Sequence, residues 1–236
     1  MKNNEEYWDM IGGNYGNNWK NFAKDTLSKK ETKYILNYFL NAKHNNVLDI
    51  GPGNGRIINK YLEVGNKKIS ILGLDISDNM VSFCRKKFDK NLNVKIEKCD
   101  LSSEDIPYEK KFDFISAIRV LKYNENWRDI IKKISQRLEE DGIFIFTMIN
   151  NNSTDRFALY PIKVYKTNQE EIRAVLNDSG LKFIETTSFT KIPDIFYNMM
   201  GKIKILSNLI LGIEKILEVF FGKLFFGRIL FIVAKK

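Results

Sequence analysis

Val47-Leu48-Asp49-Ile50-Gly51-Pro52-Gly53-Asn54-Gly55-Arg56 is an apolar run that ends in a glycine-rich turn and opens an amphipathic segment. The run predicts a buried strand over 46–50, and the segment after it a helix over 55–63. Glycines let the backbone turn sharply and bring its N–H groups close to a ligand, and the start of the helix adds partial positive charge. The spacing is G-x-G-x-G. Where a dinucleotide fingerprint needs its third glycine, one residue after Gly55, the chain has Arg56. Asp49, two residues ahead of Gly51, would repel a pyrophosphate but suits a cationic amino group. The turn therefore reads as a pocket for a cationic, phosphate-free ligand.

Outward from this turn, short β-like runs alternate with amphipathic segments, the pattern of a parallel sheet with helices on both faces. Strands are expected at 46–50, 69–74, 93–98, 112–118, 142–149, 181–190 and 228–235. Helices are expected at 55–63, 77–90, 103–106, 125–139 and 168–178, with Ser77 capping the second and Gly142 following the fourth as a stop. Two further helices, 3–22 and 28–42, precede the first strand, and the earlier one carries Tyr7, Trp8, Tyr15 and Trp19. Asp75 ends the second strand 20 residues beyond Gly55, where a carboxylate can accept both hydroxyls of a ribose. Asp100 follows the third strand at the same sheet edge, placed to accept from an adenine amino group. Asp113 lies inside a strand pattern and reads as a cap on a ladder edge.

Of the 236 residues, 44% are hydrophobic and 28% charged, which suits one folded domain and excludes a disordered chain. Lys and Arg outnumber Asp and Glu by 38 to 29, but the excess is spread along the chain, which reads first as solvated helix faces. Two cysteines, Cys84 and Cys99, exclude a disulfide framework and a four-cysteine metal site within the chain. With a single histidine, His44, in a turn ahead of the first strand, no metal is expected. The N-terminal residues lack an apolar stretch after the basic Lys2, so the expected location is cytoplasmic.

The apolar segment before the last strand is the chain's most individual feature. Leu206, Ile210, Ile213, Leu217, Phe220 and Leu224 fall on one helix face, widened by Ile205, Leu209, Leu211, Ile216, Val219, Phe221 and Phe225. Lys204, Glu214, Lys215, Glu218 and Lys223 interrupt it too often for a membrane-spanning helix. The plainest reading is a helix or helix pair packed on the domain or in a homodimer seam. Peripheral contact with the inner face of a membrane through 195–226, or a lid over an apolar substrate, stays open beside it.

Together these residues resemble the class I S-adenosylmethionine-dependent methyltransferases, over residues 44 to 190 in unbroken order and again at 228–236. The implied fold is α/β and Rossmann-like: a seven-stranded, mostly parallel sheet with an antiparallel last strand and helices on both faces. Within one domain, 1–236, this gives an N-terminal helical lid at 1–43, a cofactor-binding core at 44–190, an apolar helical insertion at 192–227 and the last strand at 228–236. The resemblance implies S-adenosyl-L-methionine as cofactor, with Asp49, Gly51, Gly53 and Gly55 matching the family's glycine-rich first motif. Asp75 matches the ribose-holding acid, with Ile76 and Met80 flanking the adenine. Cys99, Asp100 and Leu101 match the stretch that contacts adenine, and Ile118 and Arg119 fall where relatives touch the methionine end. It also implies that the aromatic N-terminal helix covers the cofactor, with Tyr15 as its contact. The chain departs from the family in having Leu121-Lys122-Tyr123-Asn124 where small-molecule enzymes often carry a histidine, and in the long insertion.

The expected function is transfer of the sulfonium methyl group to a small-molecule or lipid-like acceptor, with no nucleic acid as partner. Because the sulfonium is already activated, alignment and exclusion of water matter more than an acid–base pair. For a hydroxyl or ammonium acceptor, Tyr123 and Asp155 are the candidate bases. Two readings from other classes stand beside this one: a nicotinamide-dependent oxidoreductase, and a non-catalytic adenosyl-ligand binding or membrane-associated protein.

Overall fold

The computed structural model describes residues 3–12, 21–41, 44–66, 68–154, 158, 160–222 and 227–236. In chain order the elements are α1 (Asn4–Gly12), α2 (Phe22–Leu40), β1 (Asn46–Ile50), α3 (Arg56–Val64), β2 (Ser70–Asp75), α4 (Asp78–Lys87), β3 (Val94–Lys98) and β4 (Phe112–Ala117). A 3-10 turn, Leu121–Tyr123, leads to α5 (Trp127–Arg137), β5 (Leu138–Asn150), β6 (Lys166–Thr167), α6 (Gln169–Asp178) and β7 (Lys182–Thr187). Then come α7 (Asp194–Met200), α8 (Lys204–Phe221) and β8 (Ile229–Lys235).

The strands form one sheet in the order β3-β2-β1-β4-β5-β8-β7, parallel except for β8, which runs antiparallel to both β5 and β7. This is the expected seven-strand path; the two-residue β6, which pairs with Ile149 and Asn150 of β5, is an eighth strand too short to leave a pattern in the sequence. The two-residue period of the strands divides the core. Leu48 and Ile50 of β1, with Leu230 and Ile232 of β8, pack against Ile131 and Ile134 of α5 and Ile172 and Leu176 of α6. Val47, Phe231 and Val233 face the other way, against Ile35 and Phe39 of α2, Ile58 of α3 and Val81 and Cys84 of α4.

Several boundaries differ from expectation. No helix forms over 103–106: residues 101–103 are a turn, because Asp100 accepts from Ser102 N (2.9 Å) and Ser103 Oγ (3.2 Å) and closes the chain locally. Helix α2 starts at Phe22, not at 28, since Asn21 caps it by accepting from Lys24 N at 3.0 Å. The first helix, expected over 3–22, is described as helical only over Asn4–Gly12, residues 13–20 lying outside the described residues. Strand β5 begins at Leu138, with a bulge at Asp141 and Gly142 before regular pairing resumes at Ile143. Asp113 does cap a ladder edge, accepting from Asn45 N at 2.7 Å and Asn46 N at 3.1 Å. Burial alone would raise its carboxyl, but His44 and the two amides outweigh that and hold it below the usual range. His44 itself is buried between the Phe39 and Phe114 rings.

Among the described residues the insertion is two helices, and the longer one packs through part of the expected stripe, with Ile210 in a small core beside Ala23, Leu27 and Tyr197, while Ile213 and Phe220 of the same stripe are exposed. Helix α8 buries only Ser207, Ile210 and Glu214. Glu214 accepts from Lys191 N (2.7 Å), Ile192 N (2.8 Å) and the Tyr197 hydroxyl, which anchors the helix by its polar side. Ile205, Leu209, Ile216, Val219 and Phe220 point outward, each more than half exposed. The N-terminus of α2 clamps the pair from below: Asn21 Nδ2 donates to Tyr197 O at 2.6 Å and Phe22 N to Gly201 O at 2.8 Å.

Candidate active site

In this strand order the chain leaves β1 toward β2 and β3 on one side and continues from β4 to β5 on the other. The crevice between those two directions opens at the carboxyl ends of β1 and β4, the general location of ligands in open parallel sheets. A cleft of about 470 Å³ occupies it, with a side lobe of about 240 Å³.

The glycine-rich turn forms one rim. Gly51 (φ +66°), Gly53 (φ +55°) and Gly55 (φ +70°) all adopt the left-handed conformation that L side chains rarely take. A Cβ on Gly51 would lie 2.2 Å from Val120 Cγ2, so that glycine keeps the two halves of the crevice in contact. Gly51 and Gly53 line the cleft, whereas Gly55 does not appear in its wall. Gly55 starts α3 and serves packing: its Cβ would fall 2.5 Å from the Phe88 ring.

Asp75, at the end of β2, accepts from Gly53 N and Ser77 N, both at 3.1 Å, so the turn and the start of α4 are tied through one carboxylate. It is nearly buried and faces the cleft; burial raises its carboxyl, and the three backbone amides around it resist that rise. Asp49 lies deeper, in the wall of the side lobe. Its Oδ1 accepts from Ser116 Oγ at 2.6 Å, and its Oδ2 is buried without a hydrogen-bond partner among the described residues. Burial pushes this carboxyl up to about 7, against the pull of Ser116 and Arg56.

The remaining sequence-derived residues divide clearly. Ile76, Met80, Cys99, Asp100, Leu101, Ile118 and Arg119 all line the cleft. So does Tyr123, whose ring meets Trp8 edge-on at 5.2 Å. Burial holds the Cys99 thiol up at about 12, which leaves it a packed side chain and no nucleophile. Tyr15 and Asp155 lie outside the described residues.

Helix α1 covers one side of the cleft with Asn4, Tyr7, Trp8 and Ile11. It buries no residue fully and is held through Asp9, whose Oδ1 accepts from Ser77 Oγ at 2.5 Å and Asn79 N at 3.2 Å. Glu5, Asp9 and Asp78 come close together at this junction, but Lys98 pairs with Glu5 (2.7 Å) and Asp78 (2.6 Å), so their charge is already engaged.

Three charged residues in the wall of the main cleft, Lys24, Lys122 and Asp194, escaped the sequence reading, as did Glu31, which pairs with Arg119 of that wall. Glu31, 1% exposed on α2, takes Arg119 Nη2 at 2.7 and 3.0 Å. Arg119 in turn sits at φ +66° with its N–H donating to Thr147 Oγ1 at 2.6 Å. Lys24 of α2 and Asp194 of α7 both line the cleft and pair at 3.1 Å. These residues come from segments far apart in sequence, and no local motif marks them.

The site fits an adenosyl sulfonium. Phosphates would need free N–H donors, yet Gly53 N is committed to Asp75, and the deepest acceptor is an unpartnered carboxylate oxygen suited to an ammonium. The Asp49 carboxylate also carries a cost. Its pKa is raised above the ordinary 3.8, so the folded state holds a proton that the unfolded chain has lost, and stability falls as pH rises from about 4 to about 7. Asp49→Asn is therefore expected to be more stable than the parent at pH 8 and to lose that advantage at pH 5, as read by urea unfolding at both values. A pH-independent difference would refute the assignment.

Comparison with known proteins supplies the family. A methyltransferase domain model matches residues 41–200. A tRNA U34 carboxymethyltransferase of Campylobacter fetus subsp. fetus is 35% identical over 135 residues, 55% of this chain and 45% of that protein. The juvenile hormone acid O-methyltransferase of Drosophila melanogaster is 22% identical over 154 residues, 61% of this chain and 50% of that protein. The chain thus spans about half the length of the curated relatives it matches. Among solved structures, magnesium protoporphyrin IX methyltransferase from Synechocystis PCC 6803 with bound SAH shares the fold at a TM-score of 0.67 and 16% identity, covering 98% of this chain and 97% of that one. With a family model over more than half its length, an adenosyl-compatible crevice and the matching sheet, the chain belongs to the class I S-adenosylmethionine-dependent methyltransferases, and S-adenosylmethionine is its cofactor.

Proposed function

We propose that this protein transfers the methyl group of S-adenosylmethionine to a small or lipid-like acceptor at a membrane surface. When bound, the donor supplies a methyl carbon on a positively charged sulfur, open to attack by a lone pair of the acceptor. Asp75 accepts the ribose hydroxyls, Asp49 Oδ2 accepts the ammonium group, and Ile76 and Met80 flank the adenine beside Cys99, Asp100 and Leu101. Ile118 and Arg119 border the methionine end, Gly51 and Gly53 give the backbone its close approach, and Gly55 supports their turn from behind. Tyr7 and Trp8 exclude water from above, and the Tyr123 hydroxyl is the candidate base for an acceptor that must lose a proton.

The observation that carries the acceptor class is the outward apolar face of α8, together with the exposed apolar residues of α7, whose first residue lines the cleft. Asp194, in the cleft wall, is followed directly by Ile195 and Phe196, 60% and 47% exposed, and further exposed apolar side chains lie along α8. Lys202, Lys204 and Lys215 are exposed at its border, which suits an anionic lipid surface. No helix of the described residues is long and apolar enough to cross a membrane, so contact would be peripheral, and on this reading the protein works at a membrane's inner face. A second reading, an RNA acceptor, is favoured by the tRNA U34 carboxymethyltransferase relative and by the basic balance of the chain.

Incubation with labelled methyl donor and a lysate separated into lipid, polar-metabolite and macromolecule pools tests both. Label is expected in the lipid or small-molecule pool. Label confined to RNA would replace the first reading by the second, and label in none would reject methyl transfer.

A further inference from the structure

The wall of the cleft not assigned to the donor is built from α2, the turn after β4 and the start of α7, and it has more positive than negative groups. Lys122, in the 3-10 turn, lines this wall and is only 8% exposed. Its carbonyl accepts from Tyr165 N at 2.7 Å and its Nζ lies 4.8 Å from the Tyr123 ring centre, but Nζ has no hydrogen-bond acceptor among the described residues. The charged groups that act on it are Arg119, Arg228, Glu31 and Asp194, and Lys24 shares the cleft wall. Both carboxylates are already engaged: Glu31 by Arg119, and Asp194 by Lys24 at 3.1 Å and Arg228 at 3.0 Å. Lys122 is left over, a buried amine with no ion-pair partner among the described residues, whose charged form is costly to hold there.

We propose that the methyl acceptor carries an anionic group, a carboxylate or a phosphate monoester, that binds against Lys122. The inference rests on the methyl-transfer reading in taking this wall as the acceptor's side of the cleft. The state of the amine supports it: burial, then Arg119 and Arg228, push the ammonium down to about 7, so an arriving anion would restore its proton. An apolar body on the acceptor would meet Leu121 and Ile130, which line the same cleft.

The test is calorimetric titration of the whole protein with octanoate, octyl phosphate and octanol, with and without S-adenosylmethionine, in the parent, Lys122→Met and Lys122→Arg. At pH 7 the parent is expected to bind at least one of the two anions roughly tenfold or more tightly than the alcohol. Lys122→Met should lose that preference while keeping its affinity for S-adenosylmethionine, and Lys122→Arg should retain it. At pH 8, anion binding should take up a proton from the buffer in the parent but not in Lys122→Met, a signature that a purely structural lysine would not produce. The two anions, compared with each other, show which group the wall prefers. Equal affinity for alcohol and anions in the parent, or a preference that survives in Lys122→Met, would overturn the proposal. If the anion preference holds while S-adenosylmethionine fails to bind, the methyl-transfer reading falls and the anion site stands.

Discussion

Asp75→Ala is expected to weaken S-adenosylmethionine binding by roughly 30- to 1000-fold, the largest effect of any single substitution in the cleft. The carboxylate is nearly buried at the end of β2, so bulk water competes poorly for it and its hydrogen bonds to a ligand are strengthened by the low local dielectric. Two charge-assisted bonds to ribose hydroxyls at ~1–2 kcal/mol each account for the range. The substitution also frees Gly53 N and Ser77 N, which now share the carboxylate, and loosens the turn that admits the ligand. Asp75→Asn separates the two contributions: one amide oxygen can still accept from a backbone N–H, while the charge is lost. Calorimetry should rank the parent above Asn and Asn above Ala, with thermal unfolding checking that both variants remain folded. Unchanged affinity in Asp75→Ala would remove the proposed role of this residue.

The second large effect is expected at the outer face of α8. Replacing Leu209, Ile216 and Phe220 together by serine should reduce cosedimentation with anionic liposomes by about 100-fold or more. Each of these side chains is 54–78% exposed, and each would transfer up to ~1.5–3 kcal/mol of apolar burial into a lipid interface. Because none is packed in the fold, the triple variant should keep its unfolding midpoint and its affinity for S-adenosylmethionine within ordinary surface-mutation limits, ~0.5 kcal/mol per site. Binding by the parent should also weaken with salt, since Lys202, Lys204 and Lys215 border the face. A parent protein that ignores liposomes and sediments as a dimer, turned monomeric by the same substitutions, would instead assign this face to a second copy of the chain.

The fold was legible where the chain is periodic. Val47, Leu48 and Ile50 signal a strand buried on both faces, and the packing bears this out, with the first facing α2 and α3 and the other two facing α5. Asp113 was read as a ladder cap and is one. The failures have local causes. Hydrogen bonds from Ser102 and Ser103 to Asp100 closed a turn where a helix was expected at 103–106, and a two-residue strand such as β6 has no period to detect. Gly55 was grouped with Gly51 and Gly53 by spacing, yet only the structure separates the glycines of the cleft wall from the one that makes room for Phe88.

What the amino-acid order determined alone is the part of the cleft proposed to hold the methyl donor. A strand, a glycine turn, a helix and a second strand ending in Asp75 are contiguous, so the geometry follows from backbone rules that act over a few residues. The wall proposed for the acceptor was decided by tertiary structure. Lys24, Glu31, Lys122 and Asp194 come from three separate elements, and Lys122 becomes notable only once Arg119 and Arg228 stand near it and the carboxylates are taken. The direction of α8 was likewise settled by tertiary contacts. Hydrophobic periodicity defines a face but not how much of it is covered: Ile210 packs inward beside Glu214, which two backbone amides and Tyr197 hold, and Ile205, Leu209, Ile216, Val219 and Phe220 stay outside.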